Sequence, residues 1–132
     1  MPGKSIILDV CHNIQGFNAV LENIRVMMPN VRKVKVAFAI SKKKSIEDVV
    51  ELFDHEELIS EVHVLSRPHM RLVDAQKAHD QMSNLGSKKL QPIIGNISQS
   101  LDHLVPNLES DELLIICGSF YIMSDVREYF SI

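Results

Sequence analysis

At roughly 150 residues per domain, 132 residues make one domain, and 45% apolar with 23% charged residues excludes disorder, collagen-like repeats and a coiled coil. Fourteen basic against seventeen acidic side chains leave a formal charge of −3, too small a cationic field to carry non-specific binding to nucleic acid or acidic lipid. No apolar run nears the roughly 18 residues of a membrane span, and Met1-Pro2-Gly3-Lys4 leads into a strand pattern instead of a signal-peptide core, so the expectation is a soluble, unprocessed domain that meets neither nucleic acid nor membrane.

Ser5-Ile6-Ile7-Leu8 is a short β-branched apolar run, which predicts a strand buried on both faces and ending at Asp9. Phe17, Val20, Leu21, Ile24 and Met28 then recur at helical spacing until Pro29-Asn30 stops them. A second strand covers Val34–Ile40, and a basic loop, Ser41-Lys42-Lys43-Lys44, follows it. Ser45, three residues before Asp48, predicts a capped start for a helix carrying Ile46, Val49, Val50 and Phe53. A third unit pairs the strand Glu61–Leu65 with a helix of Leu72, Ala75, Ala78, His79 and Met82 that Gly86 ends. The fourth unit is weaker, because Pro92 removes a ladder donor from Leu90–Ile94 and pushes it to an edge. Its helix holds Ile97, Leu101 and Leu104 and is cut by Pro106. Leu113–Cys117, the most apolar run, predicts the centre of the sheet, and Gly118-Ser119 turns the chain into a last helix with Ile122, Val126 and Phe130.

Strands alternating with helices in this way predict an α/β, Rossmann-like domain over residues 1–132, a mostly parallel sheet with helices on both faces. Ligands in such sheets sit beyond the carboxyl ends of the strands, so the loops after Leu8, Ile40, Leu65 and Cys117 are the ones to read for chemistry.

The first of these loops, Asp9-Val10-Cys11-His12-Asn13, carries a carboxylate, an imidazole and an amide. A carboxylate accepts hydrogen bonds from ribose hydroxyls, and an imidazole packs on a base or donates to a phosphate; the same residues also serve as ordinary turn formers. Gly118-Ser119 opens the last helix, where backbone N–H groups and a hydroxyl hold either an anion or nothing beyond a helix cap. Phe120 and Tyr121 beside it suit a small-molecule pocket or the core. Lys42, Lys43 and Lys44 leave the same edge and either pair with phosphates or are solvated. There is no GxxxxGK[ST] and no GxGxxG, so the chain lacks a phosphate-cradling loop of its own. Cys11 beside His12 invites a thiol nucleophile, but neighbours in a loop point apart. Cys117 lies in a buried strand as a small hydrophobe. Two cysteines without a ligand spacing suggest a reducing compartment. His55, His63, His69, His79 and His103 lack metal-ligand spacing, and no metal site is expected from this domain alone.

The two anchors, Asp9-Val10-Cys11-His12-Asn13 and Gly118-Ser119-Phe120-Tyr121, resemble the C-terminal domain of folylpolyglutamate and dihydrofolate synthases, in the Mur ligase superfamily. That family has a D-[GV]-A-H-N motif after the domain's first strand and a G-S-x-Y motif after its last, at about this separation. The resemblance covers essentially the whole chain. It implies an ATP-dependent amide ligase in which a folate or dihydropteroate carboxylate is activated as an acyl phosphate and attacked by the amino group of glutamate. It implies as well that a P-loop domain, N-terminal in the same parent protein, holds ATP and magnesium while this domain closes over it. On this reading the chain is a piece of a larger cytoplasmic enzyme, the mitochondrial form of the parent being left open, and is inactive alone. Carried over, Asp9 contacts the ribose, His12 the nucleotide or the glutamate with a catalytic role, Asn13 the cofactor, and Ser119 with Tyr121 the glutamate. The family's Asp-Lys-Asp after the second strand is Lys42-Lys43-Lys44 here, so Lys43 alone matches as a cofactor contact. Ile14 stands where many members have Pro, and Cys11 where most have Ala. Two other readings stand beside this one: a Mur-type ligase domain for a different amino acid, and a non-catalytic doubly wound module that binds a nucleotide or a partner.

Overall fold

A computed structural model describes residues 5–8, 14–42, 45–118 and 122–132. Among them the elements run β1 (Ser5–Leu8), α1 (Ile14–Met27), β2 (Lys33–Phe38), α2 (Ile46–His55), β3 (Ile59–Val64), α3 (Ala75–Asn84), α4 (Ile97–Leu104), β4 (Glu112–Cys117) and α5 (Met123–Phe130). The strands form one sheet in the order β1-β4-β2-β3, and every pairing is parallel. β4 is buried along its whole length and lies between β1 and β2, the central place that its unbroken apolar run predicts.

Period-two alternation splits the strand side chains between two cores. Val34, Val36 and Phe38 of β2, with Leu113, Ile115 and Cys117 of β4, pack against Leu21 of α1, Phe53 of α2 and Met82 of α3. Ala37 of β2 and Leu114 and Ile116 of β4 face the other way, onto Leu101 of α4 and Val126 of α5. Helices therefore cover both faces, as parallel crossovers require. Phe53 anchors the first core, its ring edge-on to Phe17 at 5.4 Å and to Phe38 at 5.2 Å between centroids. Among the described residues, no helix is long and apolar enough to cross a membrane.

Local chemistry sets the helix ends. Ser45 Oγ accepts from the Asp48 amide at 3.3 Å, the cap its spacing predicts. Asn96 and Gln99 close a reciprocal capping box on α4. Gly86, at φ 79°, lets the chain leave α3 while the Ser87 amide returns to the Met82 carbonyl at 3.1 Å. The Lys89 ammonium reaches across from a later loop to the carbonyls of Phe53 (2.7 Å) and Glu56 (2.6 Å), holding the carboxyl end of α2.

Three boundaries differ from the sequence reading. α3 begins at Ala75, capped by Asp74, because Leu72 is taken into an antiparallel bridge with Ser41. Leu90–Ile94 is not a full strand: Leu90 makes one parallel bridge to Val62 beyond the β3 edge, and Pro92, which has no N–H, follows at once. α5 begins at Met123 with Ile122 in the cap position and no side-chain cap bond; Ser119, read from the sequence as a helix cap, lies outside the described residues.

Near the amino end of the sheet, on the α4/α5 side, three buried polar side chains, Lys35, His63 and Glu112, form a group with the half-buried Glu61. Lys35 of β2 places its ammonium 3.5 Å from Glu61 of β3 and 3.5 Å from Glu112 of β4. Glu112 also accepts from the Glu109 amide at 2.8 Å. His63, only 5% exposed, donates from Nε2 to Glu61 at 2.9 Å, and its Nδ1 is buried without a hydrogen-bond partner. Burial holds the His63 imidazole below its usual pKa of 6.5 and outweighs the opposing pull of the Glu61 hydrogen bond.

Candidate functional site

The carboxyl edge of the sheet has a switch point at β4. β1 and β2, its neighbours on either side, send the chain to α1 and α2 on one face, whereas β4 sends it to α5 on the other. Strand register brings the three exits level: Leu8 is paired with Ile116, and Phe38 with Cys117. In α/β sheets ligands bind where crossovers diverge in this way, and in sequence the motifs come directly after these strands. Asp9, Cys11, His12 and Asn13 follow β1 directly, Lys43 follows Lys42, and Ser119 and Tyr121 follow Gly118. All seven lie outside the described residues; their points of attachment are described and their own geometry is not.

Gly118 shows how tightly this edge is built. Its φ of 104° belongs to glycine, and a Cβ there would stand 2.7 Å from the Ala39 carbonyl oxygen of the β2 extension. The chain thus turns off β4 in close contact with the neighbouring strand's exit. That exit is fixed in its turn: the Val73 amide donates to the Ile40 carbonyl at 2.8 Å, and the Lys42 amide to the Arg71 carbonyl at 2.9 Å.

The loop after β3 adds residues that the motif search does not single out. Arg67 Nε lies 2.7 Å from Asp125 Oδ2 in the first turn of α5, so this loop is tied to the helix that follows the β4 exit. Lys42, Arg67, His69 and Lys77 line a cavity of about 340 Å³ on this edge. Sequence distance hides the group; the available signal is that Arg67 falls just beyond the third predicted strand.

Four of the histidines are engaged locally. His55 donates from Nδ1 to the Glu51 carbonyl (2.8 Å), His63 is held by Glu61, His69 Nδ1 accepts from the Arg71 amide (3.1 Å), and His79 donates from Nε2 to the Gln91 carbonyl (3.0 Å). Among the described residues, no group of three or more His, Cys, Asp or Glu side chains could hold a metal ion. Cys117 is buried in the first core, the place of a small hydrophobe.

Similar structures carry this fold. A bifunctional folylpolyglutamate synthase/dihydrofolate synthase from Yersinia pestis CO92 superposes with a TM-score of 0.77 at 17% identity, over 100% of this chain and 30% of that one. A second Yersinia pestis structure of that bifunctional synthase, complexed with AMPPNP and Mn ion, matches with a TM-score of 0.77 at 16% identity, over 96% of this chain and 28% of that one. A Mycobacterium tuberculosis folylpolyglutamate synthase complexed with ADP matches with a TM-score of 0.75 at 14% identity, over 96% of this chain and 30% of that one. This chain thus spans less than a third of the length of these proteins. No curated protein sequence matches it. The family model of the Mur ligase, glutamate ligase domain matches residues 2–120, from before β1 to past Gly118, and the chain belongs to that family.

Proposed function

We propose that the chain is the C-terminal domain of an ATP-dependent amide ligase that joins glutamate to folate or dihydropteroate. The observation that supports this most directly is one of position. The family match runs through both the Asp9–Asn13 motif and Gly118-Ser119, and those motifs leave adjacent strands at a switch point, where α/β sheets bind ligands. In this reading a P-loop domain of the same protein holds ATP and magnesium, and ATP supplies the phosphoryl group that activates the acceptor's carboxylate. This chain's part is to close the site. Asp9 and Asn13 hold the nucleotide, Lys43 its phosphates, and His12 stands between the nucleotide and the incoming amine. Ser119 and Tyr121 hold the glutamate. The described edge suits anionic ligands, since Lys42, Arg67 and Lys77 gather there. The cytoplasm is the expected compartment.

The test is ATP turnover by the protein encoded by the complete reading frame, with folate or dihydropteroate and a panel of amino acids. Turnover dependent on glutamate is the expected result, and His12→Ala is expected to lower kcat sharply with an unchanged thermal midpoint. Turnover with another amino acid instead of glutamate assigns a different Mur-type ligase. No turnover with any of them leaves a binding module and overturns the proposal.

A further inference from the structure

A strap of chain, residues 87–94, runs along the outer edge of β3 before the chain crosses to α4. Two backbone bonds hold it to the strand, from the Val62 amide to the Lys89 carbonyl and from the Gln91 amide to the Val62 carbonyl, both 2.9 Å. Two side chains add to them: His79 of α3 donates from Nε2 to the Gln91 carbonyl at 3.0 Å, and the buried Ser100 of α4 donates from Oγ to the Ile94 carbonyl at 2.7 Å. On its inner side β3 is joined to β2 at five register positions, against a single bridge to the strap, so the strap is the weaker of the strand's two boundaries. His63 lies next to Val62, on the sheet face where its cross-strand partner Ala37 packs into the α4/α5 core. Its Nε2 donates to Glu61, so Nδ1 is the nitrogen that must take up a second proton, and Nδ1 is buried without a hydrogen-bond partner. Protonation turns it into a buried donor with no acceptor and adds a buried charge; access to water relieves both. Burial opposes that charge most, Glu61 of β3 favours it, and Lys35 of β2 and His103 of α4 oppose it. Glu112 of β4 faces Lys35, and Lys89 of the strap is directed away, to the carboxyl end of α2. His79 keeps its Nε2 donor whether or not its ring is charged, so its bond to the strap survives acid.

We propose that His63 is an acid-sensitive latch: a proton on Nδ1, for which the closed fold offers no acceptor, releases the strap and α4 from the β3 edge while the β1-β4-β2 part of the sheet stays formed. The strap and α4 yield first because they are held to β3 by one bridge and a few side-chain bonds, whereas opening on the inner side breaks a whole strand pairing. Glu61 keeps hold of Nε2 throughout, so the proton is drawn in by a carboxylate and resisted by the covering elements. The strand exits of β1, β4 and β2 at the carboxyl edge lie outside the opening unit, and the inference is independent of the ligase reading.

The test follows the ¹⁵N-labelled 132-residue chain from about pH 7.5 to about pH 5, reading amide exchange protection, corrected for the intrinsic effect of pH, and the imidazole nitrogen signals in the same samples. At the upper pH His63 is expected as the neutral ring with its proton on Nε2. As it takes up the second proton, the protection of Val62, Gln91 and Ser100 is expected to fall at least about fivefold more than that of 113–117, the lower end for a buried donor left without an acceptor. His63→Phe is expected to abolish the difference and His79→Gln to retain it. Protonation of His63 with the strap amides unchanged overturns the latch, and so does loss of protection in the strap and in 113–117 together, which is global unfolding. A fall that persists in His63→Phe, or disappears in His79→Gln alone, assigns it to another group and overturns the role of His63. Where His63→Phe does not fold, the two readings on the unsubstituted chain decide by themselves, because the latch requires ring protonation and strap opening to share one midpoint.

Discussion

At the amino end of the sheet Lys35 is buried and meets two carboxylates, Glu61 and Glu112. At the carboxyl end Lys42 and Lys77 are exposed, and among the described residues no carboxylate pairs with either. One residue type thus serves two purposes in one small domain. Inside, the ammonium offsets the desolvation of Glu112, and its charge is spent. At the edge, among the described residues, no carboxylate offsets the charge of either lysine. Backbone geometry follows the same division: the buried end is closed by side chains, while the open end depends on Gly118 turning against Ala39 with no room for a Cβ.

The sharpest way to break this contrast is to remove the buried lysine. Lys35→Ala leaves Glu112 without its counter-ion, and losing one partner of a buried pair costs about 3–5 kcal/mol. Urea unfolding would measure it. A loss below about 1 kcal/mol would mean that water already reaches this pair and that the two ends are not electrostatically distinct. Next in size is Gly118→Ala, which forces a side chain into left-handed backbone against the Ala39 carbonyl. About 1–3 kcal/mol is expected from such strain, together with displaced amide resonances in the loops after β1, β2 and β4.

A smaller, graded effect comes from His63. Its folded pKa lies below the 6.5 of the free imidazole, because burial disfavours the charged ring. The groups facing it are Glu61 on its own strand, Lys35 on β2 and His103 of α4. Below about pH 6.5 the unfolded chain therefore binds a proton that the folded chain resists, so stability is greatest above that pH and declines as pH falls towards the folded pKa. Urea midpoints taken from about pH 7.5 down to about 5 should show this decline, and His63→Phe should flatten it. An unchanged slope in the variant would assign the pH dependence to other groups. The least effect belongs to the open end, where Lys42→Ala and Lys77→Ala should each change stability by no more than about 0.5 kcal/mol. A larger loss there would show that these charges are structural, against their proposed use in binding.

Much of this architecture is legible in the sequence. The strand–helix alternation, the cap at Ser45, the stop at Gly86 and the central position of Leu113–Cys117 all follow from short-range rules. So does the edge on which the candidate motifs lie, since Asp9 and Gly118 each come directly after an apolar strand run. The misreadings share a cause. Leu72 fits the helical period, yet its backbone pairs with Ser41 some thirty residues away, and Leu90 fits a strand but finds one pairing position before Pro92 ends the donors. In both cases a distant backbone partner, or the lack of one, outweighed the local pattern.

What the sequence determined by itself was the list of elements, Leu90–Ile94 apart, and the inward side of the helices, because apolar periodicity is a property of neighbouring residues. Tertiary structure alone decided that β4 inserts between β1 and β2, which creates the switch point. It decided too that Lys35, Glu61, His63 and Glu112 share one largely buried group, and that Lys42, Arg67 and Lys77 line one cavity with Asp125 behind Arg67. The physical reason is that pairing among distant strands is chosen by the burial of whole faces at once. Only after that choice do charges that are unrelated in sequence come within range to attract, repel or remain available.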